Sequence, residues 1–202
     1  MMNCHSLELV ISRLSKGSSP ADEKADEYYQ QRTVQVAISG IVAALYATML
    51  VLFSYFSFGP FQVRVADSLM PLALVLGYAG AVGLGIGCLV GNYFGFMTGM
   101  TTPVDIVGGA LANLLAGVIA YKLYQVFVTK GKKGIAWSQM AILSENITVS
   151  LVVGSYMAIL APVSTDLLAS FGLWFTGLFL GSLVSMNIIG YIVYKMTYLG
   201  LL

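Results

Sequence analysis

Charge is what this sequence has least of. Only 9% of its 202 residues are Asp, Glu, Lys or Arg, against about 25% in an average soluble domain. Histidine occurs once, as His5. That excludes a His-bearing metal cluster and leaves no histidine placed as a general base. Cysteine occurs twice. Cys4 lies in a polar tail and Cys88 in an apolar run, so they read as unlinked thiols. The motifs of hydrolytic chemistry are missing too: no nucleophile elbow, no HExxH and no phosphate-binding P-loop. "GLGIG" imitates a dinucleotide fingerprint, but it lies inside an apolar run with no soluble strand before it. No enzyme, no cofactor, no metal and no nucleic-acid partner is therefore expected, and the chain supplies no ATPase of its own.

What is abundant is apolar surface. Hydrophobic residues make up 58% of the chain and its mean hydropathy is +0.84. A soluble protein of this length has no interior large enough for them. The class is an all-α integral membrane protein.

Residues 1–32 form a polar tail, with no apolar core of the kind a signal peptide carries. Leu7, Val10, Ile11 and Leu14 recur at helical spacing, which permits a short amphipathic helix on the membrane surface. Residues 17–32 read as a solvated linker. The membrane domain is residues 33–202. A helix needs about 20 residues to cross the hydrocarbon core. The spans fall at Val34–Phe58, Pro103–Phe127, Ser138–Leu160 and Leu167–Tyr194, with a long run from Ser68 to Gly99 left over. That run is too long for one helix. Its glycine-rich centre predicts two short helices meeting near Gly77–Gly83.

Lysine and arginine favour cytoplasmic loops. With six spans and both termini in the cytoplasm, nine of the ten basic residues fall on the inner side: Arg13, Lys16, Lys24, Arg32, Lys122, Lys130, Lys132, Lys133 and Lys195. Five spans would put the tail and the "KGKKG" loop on opposite sides. The expectation is a six-transmembrane-helix bundle, multi-pass in the cell membrane and in contact with its lipid.

Arg64 is the tenth basic residue, alone on the outer side. Phe61, Val63 and Val65 alternate with Gln62, Arg64 and Ala66, a period of two that predicts extended backbone. Asp67 or Ser68 then caps the next helix, with Pro71 in its first turn. Arg64 is expected near the outer interface, facing a carboxylate or a polar ligand. "TPVD" at 102–105 fits a capping box, with Thr102 as N-cap and Asp105 at N3. Asp166 stands in the same way at the start of the last span. Asn92, Asn113, Glu145, Asn146 and Asn187 are polar groups within apolar runs. Glu145 is the sharpest, because an ionisable residue inside a span is a functional candidate. Its bland alternative is a cap on a helix that starts later.

Small residues recur four apart on the first span, as Gly40 with Ala44 and Ala43 with Ala47. Such faces let helices approach closely, either within the bundle or against a separate protein.

"FQVRVADSLMPLAL", "GLGIGCLVGNYFG" and "DIVGGALANLLAG" occur in an order and spacing that resembles the QueT-type queuosine-precursor transporters. These are substrate-binding (S) components of energy-coupling factor transporters. The likeness covers roughly residues 34–120, with "ENITVSLVVG" adding to it. The family's first motif resembles Gln-x-Arg-x-Ser-Glu-Ala-Leu. Gln62, Arg64 and Leu69 match it, while Ala66 stands for the serine and Asp67 for the glutamate. The family's Asp-Ile pair falls on Asp105 and Ile106, and its asparagine on Asn146. The resemblance implies capture of a small molecule outside the cell. A transmembrane partner and two ATPase subunits then drive its transfer. It gives Gly40, Ala43, Ala44 and Ala47 a role as a docking face for that partner. The implied ligand-binding residues are Gln62, Arg64, Asp67, Asn92, Asp105, Glu145 and Asn146, with Glu145 and Asn146 reading a base edge. An S component for another vitamin or an amino acid, or a small polytopic assembly protein, remains the alternative.

Overall fold

The computed structural model describes residues 20–57, 63–132 and 134–200. The expected tail helix around Leu7–Leu14, and Phe61 and Gln62 of the expected extended segment, lie outside them. Every described element is helical. The chain divides into two units, the second being Ala37–Leu202.

The first helix, α1, is Pro20–Leu52. It begins inside the stretch expected to be a linker. Proline is tolerated at the first helical position, and the Ala, Glu, Lys and Gln that follow are good helix formers. The polar stretch is helix rather than coil. Within the second unit, Val42, Tyr46 and Leu50 recur every four residues and are all buried, while Gly40, Ile41, Ala44 and Leu45 on the other side are exposed. In a membrane such an apolar outward face meets lipid.

A 3₁₀ helix, Val65–Leu72, leads directly into α2, Ala73–Met97. Together they form a 33-residue apolar run, but not a rod. Gly77 has φ 62° and ψ −140°, and the helix breaks there. In one straight helix, Arg64 and Asn92 would stand about 42 Å apart at about 1.5 Å per residue. Instead the Arg64 Nη2 atom lies 3.2 Å from Asn92 Oδ1. The chain reverses at Gly77, at one end of the stretch the sequence assigned to a meeting of two helices. Only glycine adopts that backbone conformation without strain.

After Gly77, α2 lies parallel to α1. Gly83, Gly87 and Gly91 face Val42, Ala43 and Leu50 in that order, and a Cβ on Gly87 would come within 2.7 Å of the Ala43 carbonyl oxygen. Three glycines four residues apart thus bring two backbones together, the small-xxx-small packing of membrane helices. Helix α3, Pro103–Thr129, runs back along α2, with Gly109 against Asn92 and Gly117 against Ala81. Helix α4, Ile135–Leu160, packs on α3 and on α5, Leu167–Ser182. A π-helical segment, Leu183–Gly190, joins α5 to α6, Tyr191–Tyr198. Its Gly190 sits against Pro71 and the Ser68 carbonyl of the 3₁₀ helix.

Two caps expected from sequence are present. Thr102 and Asp105 make both bonds of a capping box, and the Asp166 side chain accepts from Leu168 and Ala169. A third is not. The 3₁₀ helix starts at Val65, ahead of Asp67 and Ser68, and Arg64 occupies its cap position in an extended conformation without a side-chain cap bond. The Asp67 carboxylate has a different partner, Tyr46. Among the described residues, five helical stretches are long and apolar enough to cross a membrane: Gln30–Leu52, Val65–Met97, Pro103–Thr129, Ile135–Leu160 and Leu167–Tyr198.

Candidate functional site

Five stretches of chain send polar side chains into the bundle. Tyr46 comes from α1, Arg64 and Asp67 from the start of the 3₁₀ helix, Cys88 and Asn92 from α2, Asn113 from α3 and Glu145 from α4. None of them is more than 6% exposed. Tyr46 is placed there by the Val42–Leu50 stripe of α1. Asn92 lies one turn beyond Cys88 on the face of α2 that meets Gly109. Glu145 follows Ala141 and Ile142 on the inward face of α4.

The side chains form two linked groups. In the first, the Tyr46 hydroxyl donates a hydrogen bond to Asp67 Oδ1 and accepts one from Asn113 Nδ2 at 2.8 Å. In the second, Arg64 Nη2 donates to Asn92 Oδ1 at 3.2 Å and to Cys88 Sγ at 3.5 Å, while Asn92 Nδ2 donates to the Asp105 carbonyl at 2.7 Å. Arg64 Nε lies 3.9 Å from Asp67 Oδ1 and joins the two. Glu145 is fully buried on the inward face of α4. Arg64 is thus enclosed, beside a carboxylate. A guanidinium stays charged when buried, so it needs the carboxylate and amide that surround it.

The cluster is not internally complete. Asp67 Oδ2, Asn113 Oδ1 and both Glu145 carboxylate oxygens are buried with no hydrogen-bond partner, as is Arg64 Nε. Each such atom costs about 1–3 kcal/mol, and an unpaired buried carboxylate costs several kcal/mol. Four of the five are acceptors. A bundle that keeps so many acceptors together, unmet and out of water has the chemistry of a site for a donor-rich small molecule. Glu145 stands ten residues into α4, which removes the reading of it as an end cap.

Other residues expected at the site are occupied elsewhere. Asp105 Oδ2 accepts from the Thr102 amide and hydroxyl, both at 2.9 Å, and only its backbone carbonyl reaches Asn92. Asn146 donates to the Phe179 carbonyl at 3.1 Å and accepts from Ser150 at 3.1 Å, tying α4 to α5. Gln62 lies outside the described residues. Tyr46, Cys88 and Asn113 were not expected at the site. Asn113 stood out as a polar group in an apolar span, and Tyr46 shared the four-residue spacing of Val42 and Leu50. Cys88 gave no signal. The docking residues also divide. Gly40 and Ala44 are exposed and Ala47 is half-buried, but Ala43 is packed against Gly87.

Tyr46→Phe deletes the hydroxyl that joins Asp67 to Asn113. The expected loss is about 1–3 kcal/mol of stability, read as a lower thermal midpoint in detergent. An unchanged midpoint would show that the hydroxyl does not hold the carboxylate.

An apolar helical bundle closed around ionisable groups defines a membrane protein with an internal polar site. A family model that describes the QueT transporter matches residues 36–198. That range contains every residue of the cluster, and the chain belongs to the QueT transporter family. It is a transport protein for a small-molecule substrate, as its "FQVRVADSLMPLAL" and "DIVGGALANLLAG" segments suggested. No curated protein and no solved structure matches the chain.

Proposed function

We propose that this chain is the substrate-binding S component of an energy-coupling factor uptake transporter in the cell membrane, and that its ligand is a queuosine precursor, a 7-deazaguanine base. The observation that carries this reading is the set of unmet buried acceptors on Asp67, Asn113 and Glu145 in a chain of the QueT family. A guanine-like base presents donors at N1–H and at its exocyclic amine. Carboxylate and amide oxygens held together out of water are their natural partners. Its O6 acceptor suits a donor such as Arg64. Asn92 keeps the guanidinium in place, and Asp105 fixes the start of α3 on which the Asn92 contact depends.

In this reading the run that reverses at Gly77 counts as two legs, which makes six passes with both ends in the cytoplasm. ATP hydrolysis belongs to two partner ATPase subunits, coupled through a partner transmembrane subunit. The outward small-residue face of α1, built from Gly40, Ala44 and Ala47, suits close approach by that subunit.

Mass spectrometry of the compound that co-purifies with the protein tests the ligand. A 7-deazaguanine is the expected result, and a vitamin or amino acid in its place would overturn it. Pull-down from the native membrane tests the assembly. Recovery of a large transmembrane subunit with two ATPases is expected, and a solitary homo-oligomer would refute the S-component assignment.

A further inference from the structure

The lysine-bearing end of the bundle has a pocket of its own, away from the central cluster. A cavity of about 380 Å³ lies between the end of α3, the start of α4 and the end of α6. That is within the size range of small-ligand sites. Tyr124, Tyr191, Tyr194 and Tyr198 line it, together with Ser138 and Lys195. Tyrosine and lysine are common at membrane boundaries as separate anchors. Here they are joined. Tyr194 is only 5% exposed, and its hydroxyl lies 2.8 Å from that of Tyr124. Ser138 donates to Tyr194 at 3.1 Å, its nearer acceptor. The two phenols then share one bond between two hydrogens, which leaves one O–H to donate to a ligand.

The charge around this pocket is of one sign. Lys122, Lys130, Lys132, Lys133 and Lys195 fall in two stretches, 106–144 and 167–202, that contain no Asp or Glu. Asp67 and Glu145 belong to the central cluster, while Asp105 and Asp166 open α3 and α5 at the other end of the helices. Lys195 has no ion-pair partner among the described residues. Lys132 is held 4.2 Å from the ring of Trp137, in the first turn of α4. Gly134 is the N-cap of that helix and lines the pocket. A glycine has no side chain to occupy the first amides, so the positive end of α4 adds to the lysines.

We propose that this pocket binds the phosphate head group of an anionic phospholipid from the adjoining leaflet. The phosphate oxygens take the Lys195 ammonium and the free phenol O–H, and basic pockets between membrane helices suit such head groups. Three spans reach the membrane boundary at this point. Apolar Ile135 and Leu199 line the same pocket and are more than half exposed, which suits acyl chains rather than free phosphate. The lipid ties the ends of α3, α4 and α6 together. This inference rests on neither the transported ligand nor the coupling subunits.

Native mass spectrometry of the full-length protein in detergent tests it, with dioleoyl phosphatidylglycerol and dioleoyl phosphatidylcholine as probes. The anionic lipid is expected to bind about tenfold tighter or better, the scale of a charge-assisted contact. Lys195→Gln should remove most of that preference, and Lys195→Arg should keep it. Lys122→Gln changes an exposed lysine outside the pocket and should leave the preference intact. Equal binding of the two lipids by the wild-type protein would overturn the proposal, whether or not the variants fold. So would equal losses in Lys195→Gln and Lys122→Gln, which would mark a diffuse surface charge. Displacement of the bound lipid by millimolar inorganic phosphate would make free phosphate the ligand and overturn the lipid.

Discussion

Arg64→Met is expected to destabilise the protein by about 3–5 kcal/mol, the cost of leaving a buried ion without its partner. The guanidinium is 6% exposed and is the one cation described in a cluster that holds Asp67 and Glu145. Its loss leaves the buried Asp67 carboxylate without its cation. It also frees the Asn92 oxygen that receives Nη2. Methionine fills much of the same volume, so the effect reads the charge rather than a cavity. The thermal midpoint in detergent measures it. Adding Asp67→Asn to the same chain should recover a large part of the loss, since the amide needs no counter-ion. A single variant as stable as the parent would show that the guanidinium does not neutralise the carboxylates.

Gly77→Val should be nearly as damaging, for a reason that lies in the backbone. At φ 62° and ψ −140° a β-branched residue is strained, at a cost of about 1–3 kcal/mol before any contact is counted. A Cβ there also meets the Tyr121 ring at 3.2 Å. The two penalties act on the point where the chain turns back, so the legs on either side lose their alignment together. Thermal midpoint and size-exclusion profile report the outcome. Gly40→Ala is the control. It lies in a regular helix with nothing within 4 Å of an added Cβ, and there alanine is favoured by up to about 1 kcal/mol. Equal stability of the Gly77 variant and this control would remove strain from the account.

Much of this was visible in the sequence, because lipid imposes simple rules. A 33-residue apolar run invites a break, and the density of glycines said roughly where. Arg64, Asp67, Asn92 and Glu145 could be singled out because ionisable and amide groups are conspicuous among apolar neighbours. Which polar groups share a centre was not visible. Asn146 and Glu145 are adjacent in sequence, yet the asparagine spends its amide on the Phe179 carbonyl while the glutamate has no partner. Adjacent helical residues point about 100° apart, and only packing decides which direction is inward. Tyr46 was hidden because tyrosine counts as apolar until its hydroxyl finds Asp67. The start of α1 was missed for the opposite reason: its first turns are polar enough to resemble a linker, although their residues favour helix.

The winding of Val65–Leu72 has a consequence for evolution of the chain. A 3₁₀ helix turns once every 3.0 residues and rises about 2.0 Å for each. Adding or removing one residue between Arg64 and Gly77 would therefore swing Asp67 by about 120°, away from the Tyr46 hydroxyl. It would also slide the arginine about 2 Å along its axis. Substitutions on this leg can be absorbed one at a time, but its length cannot drift.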